Sequence, residues 1–398
     1  MTEVPVCPVP HDNRVHPLGP PAGFEDAIRN GPARMRWPNG VEGWVVSSYA
    51  GARKVLSDKR FSANRNGAPT MRSEGEPVVE SDQPGKLHAM DGEKHLRLRR
   101  PLARGFMVRR MASMRPRIQR IVDEHLDEME RKSAPADLVA SLCLPVSSLV
   151  IAELLGVPPA HQELFQATAR EMLGKNGSRA EYEAKAAELG QVIGNVAAIK
   201  KATGDTGDMI GLMVNETDFS MKELMLLTVV LLAAGHETTS NLFGIFVLTL
   251  FEHSEQLEIL QRDLSRADVI VEELMRYATG RLSGVGGIQR KAVEDVEVDG
   301  VTIKAGEWAV VSLHANLDEE LCPRANELDL ERRTVSHLGL GFGPHKCLGA
   351  NLARTELQIL LKSLFTRFPN IRPAVPVREM SFRDDMLTYG AASIPVAW

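Results

Sequence analysis

The sequence predicts a mainly α-helical protein with small β-sheets, and three observations carry that prediction. Apolar residues recur at helical spacing through most of the chain. Strand-like alternation is confined to GWVVSSY from Gly43, DVEVDGVTIKAGEWAVVSL after Glu294, and the closing SIPVAW. One segment, Ser220 to His253, is long enough as a helix to run roughly 50 Å at about 1.5 Å per residue.

Each element has a local reason. Ser220 and Glu223 have the spacing of a capping box, which sets the start of the long helix. Its first half, Leu224 to Gly235, is almost wholly apolar, but His236, Glu237, Thr238, Thr239, Ser240 and Asn241 interrupt it. The apolar run falls short of the ~20 residues a bilayer requires, so the segment reads as a buried core helix with a polar centre. Within the second strand region, Asp299-Gly300 between alternating apolar positions predicts a tight hairpin. After Cys347, Leu352, Leu357, Leu360, Leu361, Leu364, Phe365 and Phe368 recur at helical spacing until Pro369.

Composition sets bounds. With 398 residues and 43% hydrophobic content the chain supports a sizeable core. A formal charge of -5 provides no global attraction to nucleic acid or an anionic membrane. The opening MTEVPVCPVPHDNRVHPLGPP has neither the charged nor the apolar region of a secretory signal. We therefore expect a cytoplasmic protein, with residues 1–20 as a proline-rich arm and 21–398 as a single domain. Cys7, Cys143, Cys322 and Cys347 are far apart and form no CxxC pair, so thiols are expected.

Cys347 has unusual neighbours. It lies in LGFGPHKCLG, a glycine-studded turn before a predicted helix, where helix-terminal N–H groups favour a thiolate. Gly341, Gly343 and Gly349 would let the backbone approach a flat or bulky ligand. Three partners suit such a thiolate: a zinc ion, an electrophilic substrate or a haem iron. Zinc calls for three or four clustered ligands, and only His345 is near.

Other motifs bear on that choice. LGFGPHKCLG resembles the cysteine-ligand loop of the cytochrome P450 superfamily, F-x-x-G-x-[RH]-x-C-x-G, through Gly343, His345, Cys347 and Gly349; the usual phenylalanine is Leu340. EELMR contains the family's E-x-x-R pair as Glu273 and Arg276, and AAGHETT resembles its oxygen-activation motif. The phrases HLRLRR, ANLD and CLGANLAR are similar to those of soluble actinobacterial members.

The resemblance implies the P450 fold, a triangular prism-like single domain, and haem b (iron protoporphyrin IX) ligated by Cys347. It implies cofactor contacts from His95, Arg99, Arg290, His337, Gly341 and Gly349, and a structural role for Glu273 and Arg276. Glu237 and Thr238 match the catalytic acid and alcohol, because reducing dioxygen takes two protons in a desolvated pocket. By position, Ala233, Ala234, His236, Leu282, Ser283, Gly284, Val285, Thr388 and Tyr389 would line the substrate pocket.

The function this implies is insertion of one atom of O2 into a small organic substrate by a monomer. Electrons would come from a separate ferredoxin steered by Arg104, Arg109, Arg110 and Lys346. A nitric oxide or peroxide-using enzyme and a non-catalytic haem sensor are the alternatives. Lys94 to Arg120 holds ten Lys or Arg in 27 residues, a run that reads as a solvated face and not as a nucleic-acid site.

Overall fold

The structure, a computed structural model, describes residues 14–70, 84–173, 178–282, 287–383 and 388–398. The chain opens with α1 (Phe24–Ile28), β1 (Ala33–Arg36), β2 (Glu42–Val46), α2 (Tyr49–Ser57) and β3 (Phe61–Ser62). A helical stretch follows: α3 (Gly92–Gly105), α4 (Val108–Lys132), the short β4 (Ala136–Asp137), α5 (Leu144–Leu155), α6 (Gln162–Leu173), α7 (Arg179–Thr203) and α8 (Met209–Glu216). Next come α9 (Met221–Glu252), α10 (Ser254–Arg262) and α11 (Ala267–Leu282). Four strands, β5 (Ile288–Ala292), β6 (Val296–Val298), β7 (Val301–Ile303) and β8 (Trp308–Val311), precede α12 (Ala350–Arg367), β9 (Arg372–Pro373) and β10 (Pro395–Ala397).

Contacts group these elements into two compact units. The first holds the described residues within Met1–Gln83, His88–Gly92 and Glu272–Cys347; the second holds those of Pro84–Leu87, Glu93–Val271 and Leu348–Trp398. The division falls inside α11, after Val271.

The first unit is built on a five-stranded sheet of order β1-β2-β8-β5-β3, in which β2 and β8 run parallel and the other neighbours antiparallel. Val46, Phe61, Val296, Val298, Ile303 and Val311 are buried in its core. The predicted hairpin is β6–β7, and its turn residues Asp299 and Gly300 both have positive φ, 48° and 78°, which a two-residue turn of this hand demands. The sheet extends beyond the strands the sequence announces, adding β1, β3 and β5. In β5 the two buried positions are Arg290 and Ala292, so an inward arginine hides the apolar alternation.

In the second unit α9 packs along α5, α6 and α7, and α12 lies against α4. The capping box at Ser220 and Glu223 is formed, and both halves of it are present. Among the described residues no helix is long and apolar enough to cross a membrane. The small sheet β4-β10-β9 ties the C-terminal segment to the end of α4. Cys143 is buried, with its thiol pushed up by desolvation, as its apolar surroundings predict.

The first unit is organised by Glu273 and Arg276. Arg276 is fully buried and binds both carboxylate oxygens of Glu273 at 2.7 Å. It also donates to the carbonyls of Asn316, Ala325 and Glu327, so the guanidinium fastens α11 to the chain that follows β8. Removing one partner would strand a buried charge. Glu273→Ala is expected to cost roughly 3–5 kcal/mol, read as a lower urea midpoint and loss of soluble protein; a change within experimental error would contradict this role.

A second buried acid joins α12 to α5. Glu356 accepts a hydrogen bond from the Ser147 hydroxyl at 2.5 Å, and burial pushes its pKa up to about 7. A carboxyl raised in the folded state is neutral there while the unfolded chain ionises, so stability falls as pH rises from the unfolded value to about 7 and is level above it. Glu356→Gln cannot ionise. It should therefore match wild type near pH 4 and exceed it at pH 8 by up to about 3 kcal/mol, measured by urea unfolding at both pH values. A pH-independent difference would remove Glu356 from this account.

Candidate active site

Cys347 ends the first unit. It lies in a tight loop whose first hydrogen bond runs from the Cys347 N–H to the Leu340 carbonyl at 2.8 Å. Gly341 and Gly343 have φ of 73° and 70°, conformations that L side chains rarely adopt. At Gly343 a Cβ would also stand 2.4 Å from the Leu56 carbonyl, so this glycine admits α2 to the loop and is not reserved for a ligand. Gly349 caps α12 with ordinary negative φ, and a Cβ there would meet only Phe106, at 3.8 Å. The helix starts at Ala350, three residues beyond the cysteine, a little later than expected. Cys143 and Cys322 are buried while Cys347 is exposed.

Among the described residues no three His, Cys, Asp or Glu side chains gather into a metal-binding group, so the zinc alternative has no ligand set. The basic residues expected beside a cofactor divide into two groups. On α3 of the second unit, His95 is buried and Arg99, one turn on, is half-buried on the same face. Arg97, Arg100 and Arg104 are exposed, as expected, and Arg97 and Arg104 pair with acids on the same surface.

Arg290 is buried on β5 of the first unit, where one Nη donates to the Gln289 carbonyl at 2.8 Å. Burial, reinforced by the positive charge of Arg65, lowers its pKa to about 10. A second anion beside Asp91 would relieve that pair of cations. Arg65 was not singled out in the sequence, because only folding brings it to Arg290.

His337 is held by the loop before the cysteine. Its Nδ1 accepts from the Gly339 N–H at 3.0 Å, which leaves the proton on Nε2, 3.1 Å from the Glu272 carboxylate. Both ring nitrogens are engaged within the chain. Arg332, also unnoticed in the sequence, adds a second cation to the ion-pair cluster by donating to Glu273 at 3.2 Å.

The second unit holds the acid and the alcohol. Most of the central stretch of α9 is buried, but Ala234 and Thr238 are exposed, and Leu226, Val230 and Leu242 extend the same i, i+4 line as half-buried positions. This line is an open stripe on an otherwise buried helix. The Thr238 hydroxyl donates back to the Ala234 carbonyl at 2.6 Å. Glu237 is buried on the adjoining face, and Arg383, at 3.4 Å, and Thr388, at 3.2 Å, both donate to it. It is therefore a paired acid, contrary to the solitary one its apolar neighbours suggest.

The substrate-pocket residues separate. Ala234 is on the open stripe, whereas Ala233 and His236 are buried on other faces. His236 meets the Phe165 ring of α6 edge-on at 5.2 Å, and burial together with the positive charges of Arg383 and Arg170 lowers its pKa to about 4. Unlike Ala234 and Thr238, it is buried. Thr388 turns to Glu237, and Tyr389 stacks on Phe382 at 5.3 Å. Leu282 is half-buried, and its carbonyl accepts from Arg14; Ser283, Gly284 and Val285 lie outside the described residues.

Comparison with known proteins bears on the whole chain. Residues 195–383 match the family model described as Cytochrome P450. Cytochrome P450-SOY of Streptomyces griseus is 38% identical over 400 residues, covering 99% of this chain and 95% of that protein. The structure of Streptomyces peucetius CYP105P2 in complex with a biphenyl compound superposes with a TM-score of 0.89 at 37% identity, covering all of both chains. That of CYP105P1 in complex with filipin I also gives 0.89, at 35% identity, over 100% of this chain and 99% of that one. Full-length similarity at this level, together with the cysteine loop and the acid–alcohol helix, places the chain in the cytochrome P450 family of haem-dependent monooxygenases.

Proposed function

We propose that this protein is a haem-thiolate monooxygenase that inserts one atom of O2 into a small organic molecule, with Cys347 as the axial ligand and a separate ferredoxin as electron donor. The observation that carries the reading is the exposed Cys347 thiol on a hydrogen-bonded glycine loop, in a protein whose other described cysteines are buried. The surrounding chemistry fits haem b. Its carboxylates need buried cations, and Arg290 with Arg65 beside it are candidates to hold one.

When bound, a thiolate-ligated haem activates dioxygen for insertion, since the thiolate pushes electron density that favours O–O cleavage. The chain's own tasks are the rest. Glu237 would supply protons from its carboxyl group, and Thr238, on the open stripe of α9, would orient the proton acceptor. Ala234 beside it leaves room for an organic substrate. Filipin I in CYP105P1 and a biphenyl compound in CYP105P2 are organic ligands of similar proteins, which supports an organic substrate here. The exposed Arg109 and Lys346 would contribute to steering an acidic donor.

Two measurements test the reading. The reduced, carbon monoxide-bound protein should show the long-wavelength Soret band of thiolate-ligated haem, and Cys347→Ser should lose it; the same spectrum in both proteins would dismiss Cys347 as ligand. In a reconstituted system, Glu237→Gln should lower turnover by about 10²-fold or more. Thr238→Ala should raise hydrogen peroxide released per O2 consumed. Wild-type turnover and coupling in both variants would end the proton-delivery role.

A further inference from the structure

Three side chains in the second unit, Arg383, Asn241 and Thr388, close a ring with the Glu237 carboxylate. Arg383 Nη1 donates to Oε1 at 3.4 Å, and the Thr388 hydroxyl donates to Oε2 at 3.2 Å. Asn241, one turn along α9, joins these two donors: its Oδ1 accepts from Arg383 Nη2, and its Nδ2 donates to the Thr388 oxygen at 3.1 Å. Within the ring each side chain is joined to two others. The C-terminal segment is held close enough for this by Gly390, where a Cβ would stand 2.6 Å from the Asn241 amide.

The ring has a consequence for acid chemistry. A carboxyl that gives up a proton becomes a carboxylate, and a carboxylate with 4% of its side chain exposed is costly without an opposite charge. Among the described residues, His236, Arg170 and Arg383 bear on this stretch of α9. His236, the neighbour on α9, is held neutral by burial against Phe165 of α6 and by Arg170 and Arg383. Arg170 acts on His236 from α6, and Arg383, on the C-terminal segment, is in contact with Glu237.

We propose that Arg383 is the counter-ion that lets Glu237 release its proton, while Asn241 and Thr388 fix the direction of the carboxylate. In each cycle the carboxyl O–H bond breaks, the proton passes to the acceptor on the Thr238 side, and the carboxylate left behind is neutralised by Arg383 until solvent protonates it again. No electron moves in this step. Arg383 is thus a positioning residue, and the proposal rests on the reading of Glu237 as the proton-delivering acid.

The test is an infrared difference titration of the haem-loaded, full-length protein. The carboxyl C=O band of Glu237 is identified by its loss in Glu237→Gln. In Arg383→Gln the titration midpoint of that band should move up by about one pH unit or more, and Arg383→Lys, which keeps the charge, should recover most of the shift. An unchanged midpoint in Arg383→Gln overturns the proposal, and so does an equal shift in the Lys variant, because charge would then not be the cause. If Arg383→Gln does not fold, Thr388→Val removes a single donor and should shift the midpoint the same way by less; no shift there overturns it equally. The infrared band reports the charge on Glu237 whatever the turnover, so failure here is separate from failure of the Glu237→Gln kinetics.

Discussion

Arg276 has no exposed surface, and its guanidinium is satisfied by one carboxylate and three main-chain carbonyls. A charge so deeply placed has one tolerable arrangement, because any rotation would leave a donor or the carboxylate of Glu273 without a partner in a dry interior. The constraint spreads along the chain. Asn316, whose carbonyl Arg276 holds, accepts the Leu338 N–H through its side chain at 2.6 Å. Two residues later the Leu340 carbonyl accepts the Cys347 N–H. An ion pair on α11 thereby sets the backbone that presents the cysteine. A well-packed apolar pair of the same volume could match it in stability, but it would not choose among backbone positions in this way.

The same economy governs the buried charges elsewhere. Arg290 stands inward on a strand, where an aliphatic residue would pack better, and its depressed pKa records the cost of that position. Glu237 stands in a helix whose neighbours are mostly apolar, and it is stabilised by donors from a distant part of the chain. Neither placement helps the fold. Buried polar groups that the core does not need are where chemistry is to be sought, and these two are a cation suited to carboxylates and an acid suited to proton transfer.

Much of this was legible in the sequence where the cause is local. The capping box at Ser220, the Asp299-Gly300 turn and the end of α12 before Pro369 each depend on residues within a few positions. The motif spacings around Cys347, Glu273 and Glu237 marked the residues themselves. What spacing could not show was partners. Arg383 lies 146 positions from Glu237 and Arg332 lies 59 from Glu273, and no periodicity connects such pairs. His337 illustrates the same limit: its spacing marked the residue but not its partners, the Gly339 N–H and the Glu272 carboxylate. Side-chain direction also escaped, since Ala234 and His236 are two residues apart on one helix and so face opposite ways.

Thr238 shows how the two kinds of information combine. Its hydroxyl proton is committed to the Ala234 carbonyl at 2.6 Å, so the oxygen turned to the open stripe offers lone pairs and no proton. In this state the alcohol accepts and orients; it cannot be the source of a proton without breaking the bond to its own helix. The source must then be a group that can lose a proton and remain stable, and on this stretch of α9 His236 is neutral and packed against Phe165. Among the described residues of this stretch, Glu237 combines an ionisable proton with a compensating cation. The acid and the alcohol adjoin in sequence because their roles differ, one bearing the charge that proton release creates and the other directing where the proton goes.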